Sequence, residues 1–241
     1  MLWNNYNVVV RPGTKPKGKV LIKWSPDFAY AIGLIVADGC LYKDGRHLSL
    51  TSTDKEQIET FKKCLNLSNK TGIKLSGGGN PAYHVQFGDV LFYQFLVGIG
   101  ITPAKSNTIG PVSIPEKYFL DFLRGYFDGD GSSYSHYDII YKNSFRFYIS
   151  FTSGSRKYLD WLRAKLFQIL GVRGYISLNR NNSYTQLKYS KKEAVVISEK
   201  MYYSKELPRL KRKYLKIKTS LHIIESSRSG EIGRRAAFRS Q

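Results

Sequence analysis

The chain has 241 residues, and 38 Lys or Arg against 18 Asp or Glu give it a formal net charge of +20. Hydrophobic residues make up 42% and aromatic residues 14%, which is enough to bury a core and excludes a disordered basic protein. A charge surplus of this size attracts polyanions. We therefore expect a nucleic acid as the partner, ahead of an anionic membrane surface.

The sequence contains no stretch close to the roughly 18 apolar residues of a membrane span, and its first residues lack the charged and then apolar order of a signal peptide. We expect the cytoplasm or an organelle matrix, and no membrane partner. Cys40 and Cys64 lie far apart without a CxxC spacing. This predicts two packing thiols, with neither a disulfide framework nor a zinc site.

The chain opens with a basic, turn-rich segment, residues 1–24, which we interpret as an arm before the fold. A helix start follows: Ser25 is a good N-cap, Pro26 suits the first helical position, and Asp27 complements the positive end of the helix dipole. Residues 28–37 are almost wholly apolar. The predicted helix must therefore be buried on most of its faces.

The sequence then repeats itself, which is its most informative feature. The segment Ala31–Gly39, Ala-Ile-Gly-Leu-Ile-Val-Ala-Asp-Gly, matches Leu123–Gly131, Leu-Arg-Gly-Tyr-Phe-Asp-Gly-Asp-Gly. Further on, Leu48–Ser52 matches Ile149–Ser153, and a helical pattern follows each copy. The repeat predicts two related halves.

We place the first half at residues 25–110 and the second at residues 111–225. In each, the patterns predict the order helix, hairpin, helix, hairpin, helix. Residues 226–241 show no core periodicity and are predicted to be a disordered tail.

The predicted hairpins alternate apolar and polar residues, so each sheet has one core face and one polar face. Leu48 and Leu50 in the first half correspond to Ile149 and Phe151 in the second. The same alternation assigns further residues to the core: Ile73, Leu75, Val85, Phe87, Ile176, Leu178 and Leu187.

Small residues lie four apart on the two repeated helices, Gly33 with Ala37 and Gly125 with Gly129. Such spacing makes a flat stripe on which two backbones can approach closely. We therefore predict that the two helices pack on each other through these four residues.

An Asp-Gly pair ends both helices. Gly39 and Gly131 are predicted to form left-handed caps, which places Asp38 and Asp130 against the negative helix ends at a cost of roughly 0.3–1 kcal/mol each. Side by side, the two acids repel each other and the pKa of at least one rises. A divalent cation removes both penalties, and oxygen ligands favour Mg²⁺ over zinc. The alternative is that Asp-Gly is only a helix stop and turn.

These two motifs, with their hairpin and helix patterns, resemble the LAGLIDADG homing endonucleases in their single-chain form. The resemblance covers Ser25 to Ile224. It implies an α+β fold of two pseudo-symmetric αββαββα halves packed through the paired motif helices, with antiparallel sheets forming a saddle in the DNA major groove. It also implies a functional monomer with an internal pseudo-dimer.

The resemblance further implies Asp38 and Asp130 as catalytic metal ligands, helped by the backbone carbonyls of Ala37 and Gly129. The cofactor would be Mg²⁺; Mn²⁺ would substitute, and Ca²⁺ would bind without supporting cleavage. Metal-assisted hydrolysis would then cut both strands and leave 3′ overhangs. Asp128 is acidic too, but it lies about 200° around the helix from Asp130.

The family also places basic or polar residues around the active centre. Lys105 stands where some relatives carry an active-site lysine, and Lys213 is its counterpart in the second half, with phosphate contact as the alternative role. Ser52 and Ser153 stand at strand ends where many relatives carry Gln or Lys.

The polar faces of the sheets are the expected DNA surface, with base-edge and phosphate contacts. In the first half they carry Tyr42, Arg46, His47, Ser49, Thr51, Lys74, Ser76, His84 and Gln86. In the second half they carry Ser132, Tyr134, Arg146, Tyr148, Ser150, Thr152, Tyr175, Ser177, Asn179, Arg180, Gln186 and Lys188.

The sequence therefore predicts a site-specific double-stranded DNA homing endonuclease that supports intron mobility. Two alternatives share the fold. An RNA maturase would bind intron RNA without cutting DNA, and loss of the carboxylates would favour it. A non-catalytic DNA-binding regulator would not need paired acids at the helix interface.

Overall fold

The computed structural model of the chain describes residues 18–75, 79–142, 144–178 and 185–239. Residues 1–17 of the predicted arm lie outside these ranges. So do three of the predicted DNA contacts, Ser76, Asn179 and Arg180.

The first half has the predicted element order. Its elements are α1 Pro26–Asp38, β1 Gly39–Leu41, β2 His47–Ser52, α2 Lys55–Cys64, β3 Gly72–Leu75, β4 Pro81–Gly88 and α3 Val90–Gly98. The strands form an antiparallel sheet in the order β1-β2-β4-β3. Helix α1 begins as predicted, because the Ser25 hydroxyl accepts a hydrogen bond from the Phe28 N–H at 3.1 Å.

The second half repeats this arrangement after a short 3₁₀ turn, Glu116–Tyr118. Its elements are α4 Phe119–Asp130, β5 Gly131–Tyr137, β6 Phe145–Ser153, α5 Arg156–Leu170, β7 Tyr175–Leu178, β8 Thr185–Ser190 and α6 Lys191–Met201. The strand order β5-β6-β8-β7 is that of the first sheet. The predicted fold of two αββαββα halves is therefore confirmed.

A last helix, α7 Lys211–Arg239, follows the second half. Its first turns bury Ile217 and Ile224, and the Ser220 hydroxyl donates to the Ser135 hydroxyl of β5 at 3.1 Å. The backbone of residues 226–239 continues this helix, which differs from the predicted disordered tail. No proline interrupts the segment, so a helix anchored on β5 can propagate through it.

The two halves pack through α1 and α4, which cross at the small residues. A Cβ on Gly33 would lie 2.1 Å from the Phe122 carbonyl oxygen, and one on Gly125 would lie 2.0 Å from the Tyr30 carbonyl oxygen. Only glycine permits backbones this close. The predicted helix interface is therefore present.

The two glycines that follow the helices do not form the predicted left-handed caps. Gly39 has φ −77° and Gly131 has φ −83°, both in the extended region. The requirement for glycine is steric instead. A Cβ at Gly39 would lie 2.6 Å from the Ile35 carbonyl oxygen, and one at Gly131 would lie 2.6 Å from the Phe127 carbonyl oxygen, because each chain passes directly from helix into strand.

The predicted alternation of core and outer faces agrees with the strand register. Ile73 pairs with Tyr83 and Leu75 pairs with Pro81, on the face that carries Val85 and Phe87. The expected burial is wrong at the edge strands, where the helix layer no longer covers the sheet. Three residues assigned to the core are exposed there: Ile73, Leu75 and Leu178.

Candidate functional site

The site lies where the C-terminal ends of α1 and α4 meet. A Cβ on Gly129 would lie 2.2 Å from the Ala37 Cβ and 2.9 Å from Asp38 Oδ2, so the Asp38 carboxylate lies against the other motif helix. Burial, and after it the charge of Asp38, raise the pKa of Asp130 to about 6. The structure therefore brings together the two carboxylates that the sequence singled out.

A glutamine on α2 holds Asp38. Gln57 is buried and donates from Nε2 to Asp38 Oδ2 at 2.9 Å, while its Oε1 accepts a hydrogen bond from the Ser52 hydroxyl at 3.0 Å. Burial raises the pKa of Asp38, and the hydrogen bond from Gln57 and the charge of Lys213 oppose that rise. The sequence analysis missed Gln57. The only feature of the sequence that pointed to Gln57 was its position in the first turn of the helix that follows Ser52.

Lys105 lies at the site in the first half. Its side chain is buried, and Nζ donates to the Ala37 carbonyl oxygen at 3.3 Å. Burial lowers its pKa, and the charges of Asp130 and Asp38 oppose that effect. The predicted lysine is therefore in contact with the end of the first motif.

Lys213 on α7 is its counterpart at the second motif. Nζ donates to the carbonyl oxygens of Phe127 and Gly129 at 2.8 Å and of Gly131 at 2.7 Å. Burial lowers the pKa of Lys213 to about 8, and the charge of Asp128 opposes that shift. Three hydrogen bonds match the three donors of an ammonium group, so Lys213 binds the carbonyls at the end of α4 and at the first residue of β5.

The two backbone carbonyls predicted to bind metal, those of Ala37 and Gly129, thus accept hydrogen bonds from Lys105 and Lys213. Each carbonyl oxygen has a second lone pair. Among the described residues, no group of three or more His, Cys, Asp or Glu could hold a metal ion. Any ion at this site would depend on Asp38 and Asp130, with the remaining lone pairs of these two carbonyls and groups from outside the chain as further ligands.

Asp128 is a structural residue, as its position around the helix predicted. It is buried, accepts from the Tyr30 hydroxyl at 2.8 Å and from the Leu210 N–H at 2.6 Å, and burial raises its pKa to about 6. These bonds tie α4 to α1 and to the segment before α7. Asp128 therefore has a structural role, and Asp130 is the acid of this pair that belongs to the site.

A cleft of about 250 Å³ lies beside Asp130. Lys105, Ser153 and Tyr158 line it, and Tyr158 is fully buried. The Tyr158 hydroxyl has no hydrogen-bond partner among the described residues. In the sequence repeat Tyr158 stands where the first half has Gln57, so the two carboxylates have different neighbours.

The outer faces of both sheets carry the predicted DNA-contact residues in register. Ser49 pairs with Gln86 and Thr51 with His84 in the first sheet, and Lys74 lies on the same face. Neighbouring residues leave Ser49 only 8% exposed, so a ligand has little access to its side chain. Tyr42 and Arg46 are exposed at the β1–β2 turn, where the Tyr42 N–H donates to the His47 carbonyl oxygen at 3.0 Å.

The second sheet repeats this surface. Its cross-strand pairs on the outer face are Ser132 with Ser150, Tyr134 with Tyr148, His136 with Arg146, Ser150 with Lys188, Thr152 with Gln186, Tyr175 with Lys188, and Ser177 with Gln186. Ser150 is only 8% exposed, as Ser49 is in the first sheet. The sequence analysis missed His136, although its alternation with Tyr134 placed it on this face.

One cysteine also belongs to the outer surface. Cys40 is exposed and pairs with Ser49 across β1 and β2, so its prediction as a packing thiol is wrong. The alternation of the short strand β1 turns this side chain outward. Cys64 is half-buried, and burial raises its pKa to about 12, as a packing thiol requires.

The fold, with its two crossing motif helices, is similar to that of the LAGLIDADG proteins. Residues 118–202 match the family model described as a LAGLIDADG-like domain. The predicted resemblance is thereby confirmed in the second half, and the structural comparisons extend the fold to both halves.

The homing endonuclease I-WcaI bound to its DNA recognition sequence superposes with a TM-score of 0.58 at 14% identity, over 87% of this chain and 95% of that chain. Full-length DUF199/WhiA from Thermatoga maritima superposes with a TM-score of 0.55 at 17% identity, over 91% of this chain and 69% of that chain. The meganuclease I-SmaMI bound to uncleaveable DNA superposes with a TM-score of 0.53 at 15% identity, over 84% of this chain and 91% of that chain. A comparison with curated proteins found no match.

No helix in the described part of the chain combines the length and the apolar composition needed to cross a membrane.

Proposed function

We propose that the chain is a site-specific DNA endonuclease that hydrolyses phosphodiester bonds in both strands of a duplex with Mg²⁺. One observation carries this proposal. Asp38 and Asp130, one from each half, meet at the ends of two crossing helices beside Lys105 and Lys213. A helix stop alone would not need a second acid placed against the first at a cost in charge repulsion.

The residues at the crossing fit a hard divalent cation. Carboxylate oxygens are preferred ligands of Mg²⁺, and a bound cation would offset the burial and the repulsion from Asp38 that together raise the pKa of Asp130. Asp38 and Asp130 would hold the ion; Mn²⁺ would substitute, and Ca²⁺ would bind without supporting cleavage. When bound, Mg²⁺ would polarise the scissile phosphate and stabilise the charge that develops in hydrolysis.

The other residues of the site would bind the phosphate and orient the carboxylates. The Lys105 ammonium group lines the cleft beside Asp130, where it can donate to a phosphate oxygen. Gln57 fixes the rotamer of Asp38 through its hydrogen bond. Lys213 neutralises the negative end of α4, which lowers the cost of placing Asp130 there.

The outer faces of the two sheets supply the proposed DNA surface. They carry the polar residues in register on both halves, and the net charge of +20 favours a polyanion. I-WcaI and I-SmaMI, which share the fold, are bound to DNA. We extend the proposal to a functional monomer that leaves 3′ overhangs and supports intron mobility.

A second candidate is binding without cleavage, to DNA or to intron RNA. The lysine hydrogen bonds to the Ala37 and Gly129 carbonyls favour it, because an ammonium group can replace a metal ion as the local positive charge. WhiA shares the fold as well.

The test is a selection from a randomised duplex pool. Full-length protein captures duplexes in Ca²⁺, and the enriched sequence is then labelled and incubated with Mg²⁺, Mn²⁺ or EDTA. The proposal expects both strands to be cut in Mg²⁺ and Mn²⁺ and neither strand in EDTA. Enrichment of one sequence that stays intact in Mg²⁺ would refute the endonuclease and favour the binding protein.

A further inference from the structure

The turn of the β5–β6 hairpin presents a row of large apolar side chains to solvent. Ile139 is 90% exposed, Ile140 81% and Tyr141 68%. Single exposed apolar residues are common, but three consecutive ones on a monomer's protruding turn mark an interaction site.

Hydrogen bonds hold the described residues of this turn. Asp138 Oδ1 accepts hydrogen bonds from the N–H groups of Ile140 and Tyr141, both at 3.0 Å, and Oδ2 binds Arg146 at 3.0 Å from Nε and 2.9 Å from Nη2. The Ser144 N–H donates to the Tyr141 carbonyl oxygen at 2.7 Å. The apolar side chains are therefore held outward before any partner binds, which lowers the entropy cost of binding.

The first half builds the equivalent turn in the same way but with another tip. Asp44 Oδ1 accepts hydrogen bonds from the N–H groups of Arg46 and His47 at 3.0 and 2.9 Å, as Asp138 does in the second half. The tip there consists of Lys43, Asp44, Gly45 and Arg46. Since the turn forms with polar residues, its geometry does not require the apolar tip of the second half.

The surface next to the apolar tip suits a DNA backbone. On the outer face of the same hairpin, the rings of Tyr134 and Tyr148 stack at 4.8 Å and 10°, and those of Tyr134 and His136 at 5.5 Å and 5°. Arg146 lies between this stack and the tip. Tyrosine and arginine side chains in continuity suit contacts with the phosphates and sugars of a duplex.

We propose that Ile139 and Ile140 form an apolar wedge that inserts between adjacent base pairs of duplex DNA at one flank of the target. Proteins that bend DNA use isoleucine and similar side chains in this way. The free-energy cost of unstacking two base pairs is offset by the larger protein surface that the bent DNA contacts. Because the first half carries a polar tip, the wedge acts on one flank only. This inference rests on the proposed DNA-binding function.

The test uses full-length protein and the duplex selected above, with 2-aminopurine placed at successive steps of both flanks. Wild-type protein is expected to raise the fluorescence at one flank, where unstacking occurs. The Ile139→Ser/Ile140→Ser variant should lose that signal and bind roughly ten-fold more weakly, because two apolar side chains no longer leave water. Lys43→Ser, at the polar tip of the first half, should keep the signal.

The outcomes separate the two proposals. A double variant with wild-type affinity and fluorescence would overturn the wedge while leaving DNA binding intact, and would point to a protein partner for the apolar tip. Wild-type protein that enriches no duplex would overturn both. Both substitutions change exposed side chains, so matching circular dichroism and thermal midpoints are expected for all three proteins.

Discussion

Replacing Gly125 by alanine tests the helix crossing that joins the halves and places the site. The added methyl group would lie 2.0 Å from the Tyr30 carbonyl oxygen and 2.8 Å from its carbonyl carbon. Ordinary contact begins at 3.4 Å, so the α1 and α4 backbones would have to separate locally by about 1.4 Å.

Overpacking a core typically costs roughly 1–3 kcal/mol, and this case lies at the upper end because backbone, rather than a flexible side chain, must move. Alanine returns about 1 kcal/mol through its helix propensity. We expect the free energy of unfolding to fall by roughly 2 kcal/mol or more. Urea denaturation followed by circular dichroism measures this loss.

Gly110→Ala is the matched control. A Cβ there would lie 3.3 Å from Lys157 Cε, a flexible side chain that can move aside, and Gly110 has no positive φ. Its stability should stay within about 0.5 kcal/mol of wild type. If the Gly125→Ala protein is as stable as this control, the close crossing is refuted.

Three further predictions concern other parts of the molecule. Arg124 is fully buried and bonds Asp121 at 2.8 Å, so Arg124→Leu should lower the free energy of unfolding by roughly 3–5 kcal/mol; urea midpoints unchanged by the substitution would contradict this. Maleimide should label exposed Cys40 before half-buried Cys64, as peptide mass spectrometry would show, and bound duplex should slow the labelling of Cys40. Tyr158→Phe removes a buried hydroxyl without a partner among the described residues, so thermal unfolding should show unchanged or slightly higher stability, and a marked loss would reveal a missing partner.

The fold could be predicted from the sequence because its main constraints are local and appear twice. The motif repeat fixed the order of the elements, and the alternation at Leu48 and Ile149 fixed which face of each sheet is polar. The small residues Gly33 and Gly125 indicated the helix crossing, since only a close approach of backbones requires them.

Other features depend on contacts that no local pattern contains. Gln57 reaches Asp38 from a different element, and Lys213, which only the family resemblance indicated, reaches α4 from across the second half. Gly39 was assigned to a left-handed cap because glycine satisfies both a positive φ and a tight approach, and sequence alone does not separate the two. The predicted burial of Ile73 was wrong because alternation gives the face of a strand but not the extent of the helix layer that covers it.

The most direct test of the account is cleavage of the selected duplex by acid variants. Asp38→Asn and Asp130→Asn remove the paired charges, while Asp160→Asn removes an exposed carboxylate that pairs with Arg156 on the same helix. The account predicts Mg²⁺-dependent cutting of both strands by wild type and by Asp160→Asn, and no double-strand cutting by either of the other variants, with duplex binding retained. Full cutting of both strands by Asp38→Asn or Asp130→Asn would contradict the assignment of the site.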